Sequence, residues 1–186
     1  ANYAFSILFF TAHYCFRQIL TATFILIIIN LKTIKNSNLT IHEMEVVYLP
    51  KKYSGESLKV KDSKTAEIFL RQAFNPNSIS YQEECIVMYL NNANEIIGIH
   101  QLSKGGITAT IIDIRILLAT ALKCLATGII VSHNHPSGNL VPSKLDKELT
   151  DKLKAACKLL DINLLDHVII VPDNAYFSFV DEGLLC

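Results

Sequence analysis

The amino-acid sequence predicts an α/β domain built on a mixed β-sheet flanked by helices. Short runs of β-forming residues alternate with stretches of helical periodicity from Asp62 onward. The run Gly128-Ile129-Ile130-Val131 is apolar at every side-chain position, the pattern of a strand covered on both faces. No repeat or low-complexity tract breaks the alternation between Met44 and Cys186. A length of 186 residues leaves room for one domain and an appendage rather than two full domains.

Taken in order, residues 51–61 are polar, carry Gly55 and two serines, and read as a linker or mobile edge. Asp62 or Ser63 can cap a helix through Ala66, Phe69, Leu70 and Ala73, which Asn75-Pro76-Asn77 ends. Residues 85–90 and 95–100 are strand-like around Asn91-Asn92-Ala93-Asn94 and predict a hairpin. Gly105-Gly106 bends the chain, and residues 107–112 alternate threonine with apolar residues like a further strand. Residues 114–125 have helical spacing, with Ile114, Leu117, Leu118, Ala121, Leu122 and Leu125 on one face. After the strand at 128–131, residues 143–160 form the strongest helix, with Leu145, Leu149, Leu153, Ala156, Leu159 and Leu160 as its apolar stripe. Ser143 and Asp146 suit its N-cap and third position, a capping box with Asp in place of Glu. Two last strands, 164–171 and 176–179, flank a Pro172-Asp173-Asn174 turn.

The chain is 51% hydrophobic with mean hydropathy +0.32, and the excess is local. Residues 1–31 hold one formal charge, Arg17. Arg17, Lys32, Lys35 and Glu43 give residues 1–43 a net of +2, and the remainder carries −2. This extension fits a membrane helix flanked by Lys32 and Lys35, a packed helix, or a translated leader ahead of Met44. A secretory signal fits worse, because the start is not basic and no small-residue cleavage pattern follows. Zero net charge and a pI near 7.2 advertise no polyanionic partner. Five cysteines without a Cys-x-x-Cys pair suit reduced thiols, hence a cytoplasmic protein, membrane-anchored if the extension is genuine.

The chemistry concentrates in Ser132-His133-Asn134-His135-Pro136-Ser137-Gly138 and Pro142-Ser143-Lys144-Leu145-Asp146. Alternate residues at a strand end can turn two imidazoles toward one point, and the first turn of the next helix can bring Asp146 there. Two nitrogens and a carboxylate form a three-ligand zinc set with a fourth position open for water. The bland readings are that two histidines so spaced are surface or core residues, and that Ser143 and Asp146 only cap a helix. The conjunction of buried strand, Pro-Ser-Gly turn and Ser-x-x-Asp favours the metal.

His133-x-His135, seven intervening residues and Ser143-x-x-Asp146 resembles the JAMM motif of MPN-domain zinc metalloproteases. With Leu165-Asp166-His167 and Tyr176-Phe177-Ser178-Phe179 added, the chain resembles the bacterial RadC branch (UPF0758) over about residues 80 to 183. The resemblance implies a cytidine-deaminase-like JAMM/MPN sandwich over 80–186, preceded by a linker and short helix at 44–79. It implies one Zn2+ held by His133, His135 and Asp146, and Ser143 as a donor to the zinc water or developing oxyanion. Glu83 matches the family's glutamate base, with Glu84 as fallback, since strand neighbours face opposite ways.

The implied activity is hydrolysis of a peptide or isopeptide bond in a peptide or protein substrate. The alternative is a non-catalytic, zinc-stabilised interaction module associated with DNA repair or mobile-element proteins. A zinc nuclease fits least, because ligands for a second metal are missing. Residues 44–79 are too short for the helical N-terminal domain of complete RadC-type proteins. Lys51, Lys52, Lys59, Lys61 and Lys64 form a modest cluster that suits a solvated linker better than a nucleic-acid stripe. Asp166 and His167 suit structural hydrogen bonding, with support of the metal ligands as the other reading. Asn134 suits a loop-fixing role, and His13, His42 and His100 have no partner motif.

Overall fold

A strand buried along its whole length must lie between two layers, and β1 (Glu84–Leu90) is such a strand. Its alternate residues enter different cores. Cys85, Val87 and Tyr89 pack with Leu117, Ala121, Leu153 and Cys157, while Ile86, Met88 and Leu90 pack with Ala66, Leu70 and Phe74. The computed structural model describes residues 58–107 and 110–185, which belong to the unit Gly55–Cys186. The readings made for residues 1–43 lie outside the described residues.

In chain order the elements are α1 (Ser63–Ala73), β1, β2 (Ile96–Lys104), α2 (Ile114–Lys123), β3 (Gly128–Asn134), α3 (Lys144–Lys158), β4 (Asn163–Ile170) and β5 (Tyr176–Ser178). The sheet order is β2-β1-β3-β4-β5. Only β3 and β4 run parallel among these pairs, joined through α3, which makes the sheet mixed. Helices α2 and α3 cover one face and α1 the other. Each fully buried leucine or isoleucine in these cores contributes about 1.5–3 kcal/mol relative to exposure.

Local signals place the helix starts. Asp62 accepts from the Thr65 amide at 2.7 Å and caps α1, and Asp113 caps α2 through Arg115. Four expectations shift. Ile107 and residues 110–112 lie outside any strand: β2 ends at Lys104, before Gly105-Gly106, and Thr110 meets that strand through its side chain, with Oγ1 2.9 Å from Ser103 Oγ. On α2, Leu122 and Leu125 are exposed, and the buried line is Leu117 and Ala121. On α3 the buried line is Thr150, Leu153 and Cys157, while Leu145 and Leu159 are 73% and 85% exposed. The end of the expected linker is structural: Val60 is buried, its amide donates to the Asn94 carbonyl at 2.9 Å, and Lys59 bridges to Glu95.

Candidate metal centre

Strand β3 ends at the site. Its odd residues face α2 and α3, so Ile129 and Val131 fill that core and His133 emerges at its margin, 3% exposed. His135 follows two residues later on the same side. Gly138, at φ +79°, returns its amide to the His135 carbonyl at 3.1 Å and turns the chain toward α3. The Nε2 atoms of His133 and His135 stand 3.0 Å apart. Asp146 places Oδ1 3.3 Å from the first and Oδ2 3.7 Å from the second.

These three side chains offer ligand atoms all within 4.8 Å of one another. Zinc–nitrogen bonds of about 2.05 Å at a tetrahedral angle would separate two nitrogens by about 3.3 Å. The observed spacing therefore suits an ion after small adjustment. Lone pairs on two nitrogens so close repel each other, a strain that a cation between them would relieve. The Nδ1 of His135 lies 2.6 Å from the Asn139 carbonyl, which can only accept, so the proton of that ring sits on Nδ1 and its Nε2 faces the cluster bare when neutral.

Electrostatics points the same way. Burial pushes the Asp146 carboxyl up, but the imidazoles of His133 and His135, which can each take up a proton facing it, and the Ser143 hydroxyl outweigh it and hold the group well below the usual carboxylate range. The hydrogen bond with Asp146 raises the His135 imidazole above its ordinary value against the opposing effect of burial. An anion stabilised this way, between two imidazoles, is a place for positive charge.

Ser143 is both cap and pocket residue. Its Oγ accepts from the Asp146 amide at 3.1 Å and donates to Asp146 Oδ2 at 2.6 Å, and its own amide donates to Oδ2 at 2.7 Å. The capping box thus aims the Asp146 carboxylate.

Register explains the two glutamates. Cys85 pairs with His133 in the antiparallel β1/β3 ladder, so continuing the count sets position 83 opposite 135, on the side of the His133, His135 and Asp146 cluster. Glu83 lines a cleft of about 390 Å³ with His133, His135, Ser143, Asp146, Thr110, Ile112, Leu145 and Leu149. Its backbone is held at both ends, the amide on Gly106 and the carbonyl on Gly105. Glu84 faces the other core, fully buried, bound to Ser78 at 2.5 Å and Gln101 at 2.8 Å, with Lys104 at 3.4 Å. Asn134, between the two histidines, also faces that side. It accepts from the Glu84 amide and donates to the carbonyls of Ile79 and Gln82, which pins the segment carrying Glu83.

His167 lies closer to the cluster than its sequence position suggests. It is fully buried on β4, with Nε2 2.8 Å from His133 Nδ1 and Nδ1 2.6 Å from Thr150 Oγ1. Thr150 was not singled out by sequence; its signal was its place one turn after Asp146. Asp166 instead binds the Ser178 hydroxyl and the amides of His167 and Val180. His100 sits on β2 away from the cluster; His13 and His42 lie outside the described residues. A wider groove of about 830 Å³ follows α1, but its Arg71 is bound to the carbonyls of Val171 and Ala175 and its Lys64 to Glu67. Among the described residues no helix is long and apolar enough to cross a membrane.

Comparison with known proteins places this geometry in context. A family model described as "RadC-like JAB domain" matches residues 60–184. A UPF0758 protein of Flavobacterium johnsoniae is 52% identical over 102 residues, covering 55% of this chain and 44% of that protein. One from Porphyromonas gingivalis is 48% identical over 104 residues, covering 56% and 46%. One from Actinobacillus pleuropneumoniae is 37% identical over 135 residues, covering 72% and 61%. The chain thus spans about half the length of these relatives.

Proposed function

Because this chain belongs to the RadC-like JAB domain family, we propose that it is a zinc-dependent hydrolase that cleaves a peptide or isopeptide bond. The observation that carries the reading is the convergence of His133, His135 and Asp146 on one point in the cleft that Glu83 also lines. Two nitrogens and a carboxylate are a zinc-type donor set with room for a fourth partner. When bound, zinc would supply Lewis acidity and lower the pKa of water from 15.7 toward about 7.

The protein's own groups would do the rest. Glu83 accepts a proton from the attacking water and returns it to the leaving amine, a role worth about 10²- to 10⁴-fold. Glu84 cannot share that role from the opposite face, where Ser78 and Gln101 hold it. Ser143 directs its hydroxyl hydrogen bond at Asp146 in the resting protein; rotation toward the cleft would redirect that hydrogen bond, with the proton kept on Oγ, to the carbonyl oxygen as the carbon becomes tetrahedral. The exposed Leu145, with Leu149 and Ile112, gives the cleft an apolar wall for the chain of a peptide substrate.

Metal analysis of the full chain after gentle purification tests the reading. About one zinc per chain is expected, lost in His133→Ala and His135→Ala; a metal-free wild type under those conditions would defeat it. Glu83→Gln should retain zinc and lose peptide turnover by roughly 10²- to 10⁴-fold. Zinc-dependent folding without turnover in the wild type, on diverse peptides, would favour the alternative of a zinc-stabilised interaction module.

A further inference from the structure

We infer that Thr150 and His167 form a hydrogen-bond relay of fixed polarity that locks His133 in the tautomer whose Nε2 is bare, making His167 a positioning residue for the metal. The inference rests on the reading of His133 as a ligand, and its polarity follows from the distances. Thr150 Oγ1 lies 2.6 Å from the Asp146 backbone carbonyl, which can only accept, so the single hydroxyl proton is spent there. The same oxygen lies 2.6 Å from His167 Nδ1 and must accept from it. His167 is then protonated on Nδ1, and its bare Nε2 accepts from His133 Nδ1 at 2.8 Å. His133 in turn is left with a lone pair on Nε2, pointed at His135 and Asp146.

The surroundings hold the relay in this sense. His167 is fully buried, and both ring nitrogens are spent on neutral partners, so a second proton on its ring would have no acceptor. Phe179 stacks on the ring at 4.6 Å and 11°, which fixes its plane. The parallel ladder pairs Val131 with His167 and His133 with Ile169, which sets the two imidazoles diagonally on one sheet face. His135 receives the equivalent restraint from a surface carbonyl; His133 receives it from the interior. The relay ends on the backbone of Asp146, so one chain of bonds ties together two of the three ligand residues, His133 and Asp146.

The test separates this inference from the function it rests on. Long-range proton–nitrogen NMR of the imidazoles in the metal-free full chain, at about pH 8 where free histidine is neutral, should show His133 protonated on Nδ1. Thr150→Val, which keeps shape and removes the hydroxyl, should move that proton toward Nε2. In competition titrations with a chromophoric chelator, Thr150→Val and His167→Phe should each weaken zinc binding about 10- to 100-fold. His167→Gln, whose amide oxygen can accept from His133 Nδ1, should recover most of the loss that His167→Phe causes. A merely structural role would lower melting temperature without this split between Phe and Gln. Wild-type His133 protonated on Nε2, or zinc affinity unchanged in both Thr150→Val and His167→Phe, overturns the relay. A wild type that takes no zinc would defeat the proposed function, while the tautomer spectrum would still decide the relay.

Discussion

Asp146→Asn separates the two jobs of one side chain. As helix cap, the carboxylate accepts from the amide and hydroxyl of Ser143. Asparagine keeps an oxygen for those bonds, so the metal-free variant should lose no more than about 1 kcal/mol, the usual worth of a cap. As the proposed ligand, the carboxylate brings a negative charge that asparagine lacks. With free zinc at about 100 times the dissociation constant, the wild type gains about 2.7 kcal/mol. At about 3–5 °C per kcal/mol for a domain of this size, the melting temperature should rise by about 10 °C. A hundredfold loss of affinity in the variant brings the same zinc concentration to about the dissociation constant, where the gain is about 0.4 kcal/mol, or about 1–2 °C. Melting by circular dichroism, with chelator and with zinc, reads both quantities on one sample. A zinc-induced rise in Asp146→Asn equal to that of the wild type would refute the assignment of this carboxylate.

Other consequences are more local. Asn134→Ala leaves the Glu84 amide and two carbonyls without their partner, and should cost about 1–3 kcal/mol in chemical denaturation; it should also lower turnover more than zinc content, since it frees the segment bearing Glu83. Leu153→Ala, at a fully buried site facing the α2/α3 core, should cost about 2–5 kcal/mol, and a loss under 1 kcal/mol would show that the core collapses around it. Burial raises the Glu67 carboxyl, but hydrogen bonds and charge from Arg71 and Lys64 outweigh it and leave its pKa lowered. A depressed folded pKa gives stability above the unfolded value that fades as pH falls through the folded one. The stability gap between wild type and Glu67→Gln should therefore be full at neutral pH and close below the ordinary glutamate range. Burial pushes the Cys85 thiol up to about 12 and the Cys157 thiol to about 11, so alkylation at these two positions near pH 8 should wait for unfolding, as peptide mass spectrometry can check.

The parts of this protein written in short stretches of sequence were the readable ones. His133, His135, Ser143 and Asp146 span one strand end, one turn and one helix start, so spacing alone could place them together, and the strand alternation that separates Glu83 from Glu84 needs no tertiary knowledge. The relay was harder to see. His167 meets His133 only because β4 lies parallel beside β3, and Thr150 is a polar residue on a helix whose leucines suggested another inward face. Hydrophobicity misplaced that face because the beginning of α3 borders an open cleft: Leu145 lines solvent and the small Cys157 lies in the core. Ile107 and residues 110–112 carried a strand pattern but lie outside any strand, because β propensity reflects how side chains pack on a sheet surface rather than an intrinsic backbone preference. Val60 was hidden for the opposite reason, one apolar residue in a polar stretch whose partner strand lies more than thirty residues on.

The first turn of α3 has a kinetic meaning. Helix ends open more readily than any other part of a packed helix, and here the opening of one end would carry away a carboxylate, the hydroxyl that orients it and the carbonyl on which Thr150 rests. An ion held there could therefore leave by fraying of a few residues, with the sheet and both cores untouched. Exchange of metal with the surroundings would then follow the local breathing of that turn rather than the global unfolding of the protein.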